Sequence, residues 1–179
     1  MIMEKLFKHL SVFMTLLLLS MSSVLASCGD DDEGPGSGEQ SQTVSSVKVS
    51  YSVSLSDNWY KYFNIELSFT NSTGKTTVET LDMDKNMEVT YKFSESPDKI
   101  GLKVVAKPKA NRPDVEDGVT YQLNKDICLT VLGVASNGSG YAFMFSEPKS
   151  SSMSSGGDAF RNSLDKEHVL YDQSYTIPR

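Results

Sequence analysis

Apolar and polar residues alternate along much of this chain, which is the pattern of half-buried β-strands. The clearest run lies between Val47 and Leu55, where every second residue is apolar and the residues between are Lys or Ser. Similar runs separated by turn residues, such as Asn137 and Gly138, predict further strands. The predicted strands cover residues 63–69, 76–81, 87–93, 100–107, 119–123, 127–135 and 141–145, with a short last strand at 175–177.

Seven or eight strands at this spacing predict an all-β fold. The expected architecture is an antiparallel β-sandwich of immunoglobulin-like form, with an up-and-down β-barrel as the alternative. Residues 43–179 are enough for one core, so a single β-domain is expected there, with a serine-rich loop near 150–157. One short helix is predicted at 158–164, capped by Asp158. The nearly continuous apolar run 127–135 predicts a central strand covered on both faces, in which Cys128 is buried.

The start of the chain has the features of a secretory signal peptide. Lys5 and Lys8 precede the apolar run 12–19, which is too short to span a bilayer. The stretch from Leu25 to Cys28 resembles the bacterial lipobox. That resemblance implies removal of residues 1–27 and attachment of acyl chains, palmitate among them, to Cys28. More than one acyl chain holds a protein on a bilayer without a membrane-spanning helix.

Four carboxylates, Asp30, Asp31, Asp32 and Glu33, follow the cysteine almost directly. This run is similar to the surface-export signal of Bacteroidetes lipoproteins, and the alternative is simply the charged start of a tether. The resemblance implies a lipid-anchored protein of the outer membrane that is exposed on the cell surface, or alternatively faces the periplasm. Residues 34–42 are glycine and polar residues with nothing to bury, so residues 28–42 are expected to form a tether.

Charge and cysteine content count against a nucleic-acid-binding protein and against a disulfide-stabilised one. Removing Lys5, Lys8 and Glu4 from 17 basic and 23 acidic side chains leaves 15 and 22, a net charge of −7. This balance disfavours nucleic acid as a partner, because phosphate binding needs clustered Lys and Arg. A disulfide framework is excluded as well, because acylation of Cys28 leaves Cys128 without a partner within the chain.

The densest aromatic stretch contains Trp59, Tyr60 and Tyr62. If the alternation that begins at Phe63 extends backwards, Trp59 faces the core and the two tyrosines share the outer face. Exposed rings of this kind stack on sugars, so the three residues are candidate ligand-binding residues. The alternative is that the tyrosines simply suit a solvated strand face.

No cofactor, metal site or catalytic residue is predicted. Asp82, Asp84 and Asn86 space their oxygens like the start of a calcium loop, but Met87 and Phe93 stand where that loop needs Gly and Glu. Asp114, Glu116 and Asp117 are interpreted as an exposed acidic loop. His168, three residues after Asp165, is the one histidine after the signal peptide, and neither a Gly-x-Ser-x-Gly nor a His-Glu-x-x-His motif occurs.

These observations support three functional hypotheses. The first is a membrane-anchored envelope lipoprotein that acts as a non-catalytic binding or accessory module for a glycan or protein at the cell surface. The second is a structural or assembly subunit that donates a strand, such as 175–177, to an open sheet edge. The third is a small hydrolase.

Overall fold

The computed structural model describes residues 43–138 and 140–179. The predictions for the signal peptide, Cys28, the acidic run Asp30 to Glu33 and the tether lie outside these residues. In the part that is described, no helix is long and apolar enough to cross a membrane.

The described residues form ten strands, two short helices and one 3-10 turn. The strands are β1 (Val44–Leu55), β2 (Phe63–Thr70), β3 (Thr76–Leu81), β4 (Lys85–Lys92), β5 (Lys99–Pro108), β6 (Thr120–Gln122), β7 (Lys125–Ala135), β8 (Tyr141–Ser151), β9 (Ser154–Gly156) and β10 (His168–Thr176). The helices are α1 (Asp57–Tyr62) and α2 (Gly157–Ser163), and the 3-10 turn is Phe93–Glu95.

Eight of the strands form two antiparallel four-stranded sheets that pack face to face. Sheet one has the order β4-β1-β7-β8, and sheet two has the order β10-β5-β2-β3. The short strands β6 and β9 pair separately at one end. The predicted all-β sandwich is therefore confirmed, and the strands do not close into a barrel.

Strict alternation in the sequence becomes strict alternation of burial. In β1, Val47, Val49, Tyr51 and Val53 are each at most 1 % exposed, while the serines and lysine between them face outward. Matching residues of sheet two, such as Ile65 and Val104, complete the core from the other side. Burial of these side chains supplies the main driving force for packing the two sheets together.

The strand order differs from that of an immunoglobulin domain. In that fold the first two strands lie in one sheet, whereas here β1 and β2 lie in different sheets. Helix α1 makes this crossing, and Tyr62 at its end leads directly into β2. The first crossing between the sheets is thus a one-and-a-half-turn helix rather than a hairpin.

Three local predictions need correction. Strand β7 is buried on one face only, so Cys128 is half-exposed on the outer face of sheet one. Helix α2 begins after Gly156, which provides no side-chain cap, and Asp158 lies in its first turn. The last strand begins at His168 rather than at residue 175, because a bulge near Leu170 breaks the alternation on which the prediction depended.

Candidate functional site

A cleft of about 810 Å³ lies at the end of the sandwich where β5 leaves sheet two. It lies between the loop after β5 (residues 109–118) and helix α2. Apolar residues line part of it, among them Pro108, Pro113 and Val115. Small-molecule sites have volumes of roughly 300–1,000 Å³ and combine apolar walls with a few polar groups, so this cleft is the candidate site.

Three cations lie along the cleft, although the chain as a whole is acidic. Arg112 donates to the carbonyl oxygen of Leu164 at 3.0 Å and to the carboxylate of Asp165 at 2.6 Å. Its guanidinium thereby ties the loop to the end of α2. Lys109 donates through Nζ to the carbonyl oxygen of Tyr60 at 2.6 Å.

Arg161 makes the second connection between loop and helix. It donates to the carbonyl oxygen of Val115 at 2.7 Å and to the carboxylates of Asp158 and Asp117. The Asp partners of the two arginines are 79 to 94 % exposed, and such solvated pairs contribute about 0–1 kcal/mol each. An incoming anion can therefore replace them at little cost.

A close backbone approach sets the distance between the loop and α2. A Cβ atom built on Gly157 would lie 2.8 Å from the carbonyl oxygen of Glu116, so only glycine permits this contact. The amide of Glu116 donates to the Tyr121 hydroxyl at 2.8 Å, which fixes the loop from the side of β6. Gly157, Glu116 and Tyr121 therefore position the loop and the helix without lining the cleft themselves.

An aromatic cluster lies close to this loop. Tyr121 stacks on Phe160 with ring centroids 4.4 Å apart, and Tyr62 meets both rings edge-on at 5.7 and 4.9 Å. Burial, with the neighbouring Tyr121 hydroxyl, raises the pKa of Tyr62 to about 12. Through these rings helix α2, which contains Phe160, packs against Tyr62 of α1 and Tyr121 of β6.

The predicted exposure of Tyr62 is wrong. Residues 57–62 form a helix, and its spacing of three places Trp59 and Tyr62 on the same buried face, with exposures of 4 % and 1 %. Trp59 faces the core as predicted. Tyr60 is half-buried, and its hydroxyl donates to Asp84 at 2.9 Å. The structure therefore does not bring the three aromatic residues together as one exposed stacking surface.

Asp84, from the calcium-like stretch, organises a corner of the chain. It accepts hydrogen bonds from the Ser54 hydroxyl at 2.6 Å, from the Leu55 amide at 2.9 Å and from Tyr60. Desolvation opposes its ionisation, but these donors outweigh that cost and lower the pKa of Asp84 below 3.8. No group of three or more His, Cys, Asp or Glu side chains in the described residues is arranged to hold a metal ion.

The remaining chemical candidates lie apart. His168 contacts the carbonyl oxygen of Ser163 through Nε2 at 2.9 Å, whereas Asp165 pairs with Arg112. The Cys128 thiol lies 3.5 Å from the Thr130 hydroxyl on the outer face of sheet one. The residues that line the cleft include no Ser, Cys or His.

Sequence reasoning missed the cleft because residues 111–118 were interpreted as an acidic loop. The signal lay in Lys109, Arg112 and Arg161, but the two arginines are 49 residues apart and only the fold brings them together. Comparison of the chain with protein families, with curated proteins and with solved structures found no significant match.

Proposed function

We propose that this chain is a lipid-anchored lipoprotein of the bacterial outer membrane, exposed at the cell surface, whose β-sandwich is a non-catalytic binding module. The anchor is supported by Leu25 to Cys28 and by the carboxylates that follow. The binding role is supported by one observation above all, the cleft between the 109–118 loop and α2. Its apolar walls and three cations suit recognition of a ligand rather than chemistry on one.

The geometry of the cleft favours an acidic glycan as the ligand. The planar guanidinium of arginine matches a carboxylate with two parallel hydrogen bonds. Arg112 and Arg161 make ion pairs with exposed aspartates, so a sugar carboxylate can take the place of Asp165 or Asp117. The rings of Pro108 and Pro113 would then contact the apolar face of the sugar ring.

Two experiments test the anchor. In cells fed labelled palmitate, the wild-type chain takes up label and fractionates with membranes, whereas Cys28→Ser does neither. Replacement of Asp30, Asp31, Asp32 and Glu33 by the matching amides should retain the label but protect the protein from protease added outside the cell. Equal labelling of wild type and Cys28→Ser would contradict the anchor.

An array of acidic and neutral oligosaccharides tests the cleft. The full chain in detergent should retain glycans that carry uronic acids in preference to neutral ones, and Arg112→Gln should lose that preference. Lys48→Gln is the matched control, because it removes one positive charge from the exposed face of β1. Equal retention of acidic and neutral glycans by the wild type would remove the acidic glycan from the proposal.

Gly157→Ala provides a second test that leaves every charge in place. Its methyl group would displace the Glu116 carbonyl and shift the loop, so glycan retention should fall. Gly156→Ala is the matched control, because a Cβ atom there meets nothing within 4 Å. If both variants bind as the wild type does, the cleft is not the site.

The alternative, an assembly subunit that donates its C-terminal strand, now has a specific requirement. Tyr175 and Thr176 pair with Ile100 and Lys99 of β5, and Ile177 is 2 % exposed. Donation would require this segment to leave its own sheet. Acceptance of a strand from another chain at a free sheet edge would not require this step.

A further inference from the structure

Strand β8 is an edge of sheet one, and its first six residues carry no charge. The sequence from Tyr141 to Ser146 is Tyr-Ala-Phe-Met-Phe-Ser. Each of the other three sheet edges carries charged side chains, as in Lys85 and Glu88 of β4, Glu79 of β3 and Asp172 of β10. Charged residues on edge strands are the usual protection against pairing with another chain, and this segment lacks them.

The side chains of the segment are unusually accessible for their type. Met144 is 69 % exposed and Tyr141 is 56 % exposed. On the other face of the strand, Phe145 stacks on Tyr175 of β10 with centroids 4.8 Å apart, and both rings are half-exposed. Phe143 lies over Gly133, which has no side chain to hold it away.

A side-chain hydroxyl shows which backbone groups of β8 face outward. Leu129 and Glu147 lie opposite each other, and the Tyr171 hydroxyl stands between them. It accepts from the Leu129 amide at 3.1 Å and donates to the Glu147 carbonyl oxygen at 2.6 Å. The backbone of Glu147 therefore faces β7.

Backbone direction alternates along an antiparallel strand, so the N–H and C=O groups of Met144 and Ser146 face away from β7. The backbone of Pro148 also faces away from β7, but proline has no N–H to donate. The stretch that can pair with another strand therefore ends there. In the described residues, no backbone hydrogen bond outside the β7 ladder involves Met144 or Ser146. These two residues form a short, open strand edge.

We propose that this edge pairs with the same edge of a second copy of the chain. In an antiparallel arrangement with its two-fold axis at Phe145, Met144 of each copy exchanges backbone hydrogen bonds with Ser146 of the other. Phe145 then lies opposite its own counterpart, and sheet one continues across eight strands. Such an interface is self-complementary and closed, as two-fold symmetry requires.

The length of the tether is compatible with a second copy on the same membrane. Val44 pairs with Ala135, and Tyr141 pairs with Val134, so strand β7 separates the first residue of β1 from the start of β8. Residues 28–43 can extend to at most about 58 Å, which allows both anchors to reach one bilayer. This step alone depends on the proposed anchor.

The tether itself is a poor occupant for the edge. Residues 29–42 are rich in glycine, serine and carboxylates and contain no aliphatic side chain larger than proline. Strand pairing beside Phe143 and Phe145 needs apolar or β-branched side chains. A second β8 supplies them.

A cysteine at the axis tests the pairing directly. The full chain carrying Phe145→Cys and Cys128→Ser, in detergent micelles, should form a disulfide-linked dimer on mild oxidation. Residues that face each other across a non-hydrogen-bonded pair have Cα atoms about 4.5 Å apart, within the range of a disulfide. Val89→Cys with Cys128→Ser is the matched control on the β4 edge, and it should stay monomeric.

Met144→Lys provides a second test that does not alter the core. The wild type should sediment as a concentration-dependent dimer, and a lysine on the open edge should weaken dimerisation by about tenfold or more. Thr90→Lys, on the exposed face of β4, should leave the dimer unchanged. Wild-type protein that stays monomeric, or a Val89→Cys dimer as abundant as the Phe145→Cys dimer, would overturn the proposal. A disulfide dimer in cells without palmitate labelling would retain the pairing and overturn only the anchor.

Discussion

The two sides of the sandwich are joined in different ways. On one side the chain crosses directly from β3 to β4, Asp84 fixes the corner with three hydrogen bonds, and the Tyr51 hydroxyl reaches the Thr70 carbonyl oxygen at 2.6 Å. On the other side β8 and β10 are not consecutive, and the Tyr171 hydroxyl and the stack of Phe145 on Tyr175 connect them. The first side is joined by the continuous chain and by hydrogen bonds to a charged carboxylate, whereas side-chain contacts join the second. We call the first the closed side and the second the open side.

This difference separates stability from interaction. On the closed side, polar groups find partners within the chain, and the β4 edge carries lysines and a glutamate. The open side leaves aromatic rings half-exposed and a short uncharged edge. We therefore expect substitutions on the closed side to act mainly on unfolding and those on the edge of the open side mainly on association.

Asp84→Asn should have the largest effect, destabilising the domain by about 2 kcal/mol at pH 7. Three donors lose a charged acceptor, and the exposure of Asp84 to solvent screens part of that loss. Since the pKa of Asp84 is lowered by folding, its contribution is complete above the unfolded pKa and disappears as the pH falls through the folded value. Urea unfolding at pH 7 and at lower pH should show the gap between variant and wild type closing below about pH 4.

Asp82→Asn is the control for that series. Asp82 is also exposed and only two residues away, but the hydrogen bonds from β1 and α1 end on Asp84. Its effect should stay within about 0.5 kcal/mol. A gap between Asp84→Asn and wild type that is constant down to pH 3 would show that the carboxylate does not hold the corner.

Tyr171→Phe should have the next largest effect, about 1.5 kcal/mol, because a buried amide and a part-buried carbonyl lose their shared partner. Burial raises the pKa of Tyr171 to about 12, so its hydroxyl is protonated and able to donate at physiological pH. Urea unfolding measures the loss. Tyr175→Phe, four residues further along β10, keeps its ring stack and should change stability by less than about 0.5 kcal/mol. Equal effects of the two substitutions would remove Tyr171 as the connection between the sheets.

Phe145→Leu should have the smallest effect, about 1 kcal/mol, because it keeps an apolar side chain and loses the aromatic stack. The measurement is urea unfolding of the monomeric Met144→Lys chain with and without the substitution. A loss above that of Tyr171→Phe would place the main connection of the open side in the stack instead.

The strands were predictable where the alternation of apolar and polar residues continued over a whole strand. Strand β1 was found with residues 44–55 in place of the expected 47–55, and its inward residues are those predicted. The prediction failed where the period changed within a few residues. Residues 57–62 switch to helical spacing, which buried Tyr62, and the bulge near Leu170 concealed most of β10.

The candidate site was less predictable, because it depends on contacts between residues far apart in sequence. Arg112 and Arg161 gave no local pattern, and Gly157 revealed its role only through the Glu116 carbonyl. Asp84 was noticed for its spacing, but its three donors come from β1 and α1. The chemistry of each residue was visible in the sequence, while its partners were set by the fold.

Native-state hydrogen exchange on the monomeric Met144→Lys chain tests the contrast between the two sides most directly. The amides of β8 that bond to β7 should open at a lower free energy than the amides of β4 that bond to β1, and Tyr171→Phe should lower the value for β8 more than the value for β4. Equal opening free energies for β4 and β8, unchanged by Tyr171→Phe, would contradict a sandwich that is closed on one side and open on the other.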